Sequence, residues 1–141
     1  VTGSSRIQRI LGLARRKEEE TERALAARRR EVDEATDAVE LARARATEDL
    51  TPTEGTNVED FLLRRRMSEL RAQALRDREA ERRAAEDAVL RARQEWLEAA
   101  RYKRTVDRLD ERDRAARAVV AARASQRTLD EVALRRLRGQ A

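Results

Sequence analysis

The chain has 141 residues, of which 43% are charged, 40% hydrophobic and 2% aromatic, with 33 Lys and Arg against 28 Asp and Glu. Leu, Ile, Val and Phe together number only 27, too few for a compact core to offset chain entropy, which excludes an ordinary globular enzyme. Ala, Glu, Lys, Leu and Arg supply 92 residues, the composition of a coiled coil or long helix, and the net charge of only +5 means that acids and bases are interleaved as on a solvated helix.

Cysteine and histidine are both absent, so a disulfide framework and the usual zinc sites are excluded and no cofactor is expected. No apolar run approaches the roughly 20 residues that span a bilayer, and no signal-like segment follows the N-terminus, so a cytoplasmic protein without direct membrane insertion is expected. Arg outnumbers Lys 31 to 2. That bias reflects a GC-rich coding sequence more than selection for phosphate binding, and nucleic acid is not an expected partner.

Helix 1 is predicted over about 6–50, because Ser5 with Gln8 forms a capping box and no proline follows until Pro52. Its heptad series is Leu11, Glu18, Leu25, Val32, Val39 and Ala46, interleaved with Ala14, Thr21, Arg28, Ala35, Ala42 and Asp49. Pro52 and Gly55 mark the turn, over about 51–57. Thr56 with Glu59 then repeats the capping signature, and helix 2 is predicted over about 58–138, stopping at Gly139. A further box, Thr128 to Glu131, suggests a separate short helix after a break near 125–128.

Helix 2 carries the stripe Ala85, Ala88, Val89, Ala92, Trp96, Ala99, Tyr102, Val106, Leu109, Ala116 and Val120, broken by Asp113. Two narrow stripes facing each other make an all-α fold, an antiparallel coiled-coil hairpin with helix 2 the longer, spanning 1–141 as a single unit. Its expected core includes Leu11, Leu25, Val32, Val39, Val89, Trp96 and Tyr102. Folding about Glu54 would place Ile7 beside Arg101 and leave helix 2 without an intramolecular partner beyond about Lys103. A homodimer would also satisfy both stripes.

Charge is distributed with a direction. Residues 1–17 carry five bases and no acid, 115–141 six bases and two acids, and 47–60 five acids and no base. A basic open end entering an acidic partner is one reading, and chance variation in so charged a chain is the other. The overhanging part of helix 2 keeps Val106, Leu109 and Val120 beside Arg117, Arg123, Arg127, Arg135 and Arg136, an amphipathic surface for such a partner. Phe61, Leu62, Leu63 and Met67 crowd the start of helix 2, where a two-stranded seam cannot bury all of them; a partner site and local hairpin packing both account for them. Catalysis has no candidate, since Ser68, Ser125 and the many Glu lie on helical surface with no cleft, and there is no phosphate-cradling glycine loop.

The run RQEWLEAARYKRTVDRLDER, followed by LDEVALRR, and the opening RIQRILGLARRKEEETERALAARRREVDEA resemble the FliJ family of flagellar type III export proteins. The positions of Trp96, Arg101, Lys103, Leu109, Glu111 and Arg112 carry the likeness. The injectisome stalk proteins of the YscO type share the layout. The resemblance implies a non-enzymatic stalk standing in the pore of a hexameric export ATPase, promoting assembly of its ring and touching the cytoplasmic domain of the export gate. It also implies binding of export chaperones, a place at the cytoplasmic face of the inner-membrane export apparatus, and a role in flagellum biogenesis and hence chemotaxis. Val106, Leu109, Arg117, Val120, Arg123, Arg127, Arg135 and Arg136 are then the ATPase-binding candidates, and Phe61 with Leu62 the gate-binding pair. The rival readings are a structural coiled-coil dimer, an injectisome stalk and a basic nucleic-acid-binding helix.

Overall fold

Ala, Leu, Arg and Glu are strong helix formers, and neither glycine nor proline interrupts the chain between Leu13 and Leu50 or between Asn57 and Arg138. The computed structural model, which describes residues 2–50 and 54–140, accordingly contains two helices, α1 (Thr2–Ala46) and α2 (Val58–Gly139), and no strand among the described residues. They pack antiparallel as a two-helix hairpin with α2 the longer.

The helix ends differ from expectation at several points. α1 starts at Thr2, ahead of Ser5, and stops at Ala46 instead of reaching Leu50. Thr47 ends it, its hydroxyl donating to the carbonyls of Arg43 (3.1 Å) and Ala44 (3.2 Å). Of the expected turn, Pro52 lies outside the described residues, while Gly55 has φ of 90°, a left-handed conformation that favours glycine. The cap of α2 is Asn57 and not Thr56: its Oδ1 accepts the Asp60 N–H at 2.8 Å, and Glu59 and Asp60 add negative charge at the N-terminal dipole. No break occurs at 125–128. The Thr128 hydroxyl bonds back to the Ala124 carbonyl at 3.1 Å, as a threonine inside a helix does.

The chain divides into two compact units, to each of which both helices contribute. In the unit of Val1–Glu18 with Ala99–Ala141, the buried residues are Leu11, Ala14, Ala99, Ala100, Val106 and Asp110. Gln8 donates to Asp110 (2.7 Å), Lys103 pairs with Glu18 (2.9 Å), and Arg15 lies 4.0 Å from Asp107. A fold about Glu54 would bring Gln8 to Ala100, so the true register is displaced along α2. Tyr102 is not in the core: it is 55% exposed, Leu109 is 51% exposed, and Lys103 and Asp110 occupy the seam instead. The cause lies in α1, which presents Glu18 and Gln8 to that seam, so polar partners are selected over apolar ones. Val106 is buried at 5%, which moves the start of the uncovered part of α2 from Lys103 to Arg114.

In the unit of Glu19–Glu98, Thr21, Leu25, Val39 and Ala92 are buried, and Val32, Val89 and Trp96 are half-buried. Each fully buried Leu or Val contributes roughly 1.5–3 kcal/mol, so this narrow seam stabilises the pair without enclosing any interior. Arg28, at a heptad position, is exposed and bonds Glu31 at 2.8 Å; that hydrogen bond, followed by the charge of Glu31, raises its pKa. Arg43 approaches Glu79 (3.6 Å), and Arg71 donates both to Glu48 (2.7 Å) and to the Arg45 carbonyl at the end of α1 (3.2 Å). Residues 47–50 continue beside the first turns of α2, sharing a shallow surface with Phe61, Arg64, Arg65, Ser68 and Glu69. That overlap displaces the register, because the connection lies along α2 instead of turning tightly.

Candidate interaction surfaces

Every residue of α2 from Arg114 onward is exposed. Arg117 is held by Asp113 one turn back, whereas Arg123, Arg127, Arg135, Arg136 and Arg138 have no ion pair among the described residues. Val119, Val120, Leu129, Val132, Leu134 and Leu137 are exposed between them. Arg117, Val120, Arg123, Arg127, Arg135 and Arg136 thus lie on uncovered helix, whereas Leu109 is exposed on the part of α2 that still packs against α1 and Val106 is buried there.

At the loop end of the Glu19–Glu98 unit, Phe61 is 47% exposed, and Val58, Leu62, Leu63 and Met67 are exposed with it. A groove of about 480 Å³ runs beside them between the two helices, with Ala38, Leu41, Ala42, Leu70 and Ala74 along it and Arg45, Arg71 and Arg78 at its margins. Leu41 and Leu70 are both exposed there. Sequence reasoning finds Phe61 and Leu62 but not this groove, because its floor is mostly alanine and no apolar stripe marks it.

Among the described residues no group of three or more Asp or Glu could hold a metal ion, and no helix is long and apolar enough to cross a membrane. A family model described as the flagellar FliJ protein matches residues 4–141. The chain belongs to the FliJ family. Comparison with curated proteins and comparison with solved structures each gave no significant match. Family membership makes the chain a component of the flagellar protein-export apparatus, structural in kind.

Proposed function

We propose that this FliJ-family chain is the stalk of the export machinery. The uncovered part of α2 enters the pore of the hexameric export ATPase and promotes assembly of its ring, while the loop end docks on the cytoplasmic domain of the export gate. The observation that carries this reading is the continuation of α2 as exposed helix from Arg114 to Gly139 with five guanidinium groups that have no ion pair among the described residues. Helices draw most of their stability in proteins from a packed face, and an uncovered basic helix with leucines suits a partly apolar, acidic pore. The apolar surface of Phe61, Leu62, Leu41 and Leu70 supports a second, chemically different partner, the gate. Export chaperones complete the partner set, and the protein works peripherally at the cytoplasmic face of the inner membrane, in a flagellar and not an injectisome system, without a cofactor and without catalysing a reaction.

Deleting residues 115–141 tests the polarity of this arrangement. The variant is expected to keep its helical hairpin by circular dichroism yet lose stimulation of ATPase ring assembly. Full stimulation by the deletion variant would assign the ATPase to another surface, and a simple structural dimer would leave ATPase assembly unaffected by either form.

A further inference from the structure

The side of α2 that α1 covers follows one heptad line, Ala99, Lys103, Val106 and Asp110, all buried or half-buried. Beyond them the same line runs through Asp113, Arg117, Val120, Ala124, Arg127 and Glu131, and is no longer an apolar stripe. A second line, offset by two residues and so about 160° away round a helix of 3.6 residues per turn, changes in the opposite sense. Beside α1 it reads Arg101, Thr105, Arg108 and Arg112, all exposed to water. Past Arg114 it reads Ala115, Val119, Ala122, Gln126, Leu129 and Ala133, until Arg136 ends it. The polar member is already engaged within the helix, since the Gln126 amide donates to Asp130 at 2.9 Å. The apolar face of α2 thus passes to its other side at the point where the cover of α1 ends, and it keeps the 3.5-residue period that packs against another helix.

Charge selects the occupant. From Arg114 onward there are seven arginines against Asp130 and Glu131, and the whole unit of Val1–Glu18 with Ala99–Ala141 holds 17 bases against 7 acids. The unit's own acids leave that surplus standing, so the face suits an acidic partner, and a second copy of so basic an arm is disfavoured. We propose that this second line is the face by which the arm docks on a helix of the export ATPase. Val119 and Leu129 fill the contact, while Arg123 and Arg136, which have no ion pair among the described residues, meet acids at its margins. The proposal rests on the ATPase reading above and adds to it which side of the arm makes contact.

Two leucines test it. Leu129 is on the second line and Leu134 on the first; they are 64% and 54% exposed, so serine at either leaves folding and helix propensity equally affected. In titrations of the full chain with the purified export ATPase, Leu129→Ser is expected to weaken binding about tenfold, and Leu134→Ser less than twofold. Equal losses, or the larger loss for Leu134→Ser, overturn the assignment. Sedimentation of the full chain alone covers the other occupant: self-association that Leu129→Ser abolishes would give the face to a second copy and overturn the proposal. The variant lacking residues 115–141 separates this proposal from the reading beneath it. If that variant loses ATPase binding while the two serine variants bind alike, only the choice of face fails; if it binds fully, both fail.

Discussion

Nε2 of Gln8 donates a 2.7 Å hydrogen bond to Oδ1 of Asp110, a carboxylate only 4% exposed whose other oxygen pairs with Arg114 at 2.6 Å. The two residues are 102 positions apart in sequence and are flanked by the buried Leu11 and Val106. A slip of α1 by one turn would leave the Asp110 carboxylate buried without its cross-helix donor. Burying an unsatisfied charged acceptor costs more than the hydrogen bond itself contributes, so the pair penalises wrong registers more than it stabilises the right one.

Asp110→Ala is therefore expected to destabilise the Val1–Glu18 and Ala99–Ala141 unit by about 1–2 kcal/mol, since Gln8 can return its amide to water. Asp110→Leu separates the two roles. It is expected to leave the melting temperature unchanged or raised, while spin labels at Arg9 and Arg112 report a broadened distance distribution. A distribution as narrow as that of the wild type would show that register is set by packing alone.

The Lys103–Glu18 pair makes the same unit depend on charge at a second place. Both side chains are about a quarter to a third exposed, so the coupling is screened and amounts to roughly 0.5–1 kcal/mol. Lys103→Glu is expected to lower the melting temperature, and adding Glu18→Lys to recover most of the loss. Tyr102→Ala, in contrast, is expected to have little effect. A larger loss for Tyr102→Ala than for Lys103→Glu, measured by chemical denaturation, would return Tyr102 to the seam.

Composition, together with the positions of glycine and proline, was enough to read two long helices, and the heptad positions Leu11, Ala14, Leu25 and Val39 are buried where the spacing puts them. Register was not legible in the same way. Apolar periodicity accommodates Tyr102 and Leu109 as readily as Lys103 and Asp110, and only the polar residues opposite decide between them. Nor does a turn motif reveal that residues 47–50 lie along α2 and shift every cross-helix pair.

Arg71 fastens that shifted connection, since its guanidinium reaches both the Glu48 carboxylate and the last turn of α1 at the Arg45 carbonyl. Carbonyls at a helix C-terminus lack intrahelical donors, and a cation there also interacts favourably with the helix dipole. Arg71→Ala is expected to accelerate amide hydrogen exchange over residues 43–50 while leaving Leu11 and Ala14 protected, with a global cost of about 1 kcal/mol. Unchanged exchange at 43–50 would mean that the connection is held by apolar contact with Phe61 instead.

The proposed function assigns the apolar loop end and the basic arm of α2 to different partners, and mutation separates the two. Phe61, Leu62, Leu41 and Leu70 are all exposed, so truncating them forms no cavity and costs little stability. Phe61→Ala with Leu62→Ala, and separately Leu41→Ala with Leu70→Ala, are expected to weaken binding to the export gate, each lost contact counting roughly 1–2 kcal/mol where the partner covers it fully. Both pairs are expected to spare stimulation of the ATPase, because neither touches the arm that begins at Arg114. The two pairs also discriminate within the surface. If only the Phe61 pair weakens gate binding, the gate rests on the first turns of α2; if both do, it lies across the groove between the helices. Full gate affinity in both variants, measured by titration with the gate's cytoplasmic domain, would remove this surface from the export function altogether.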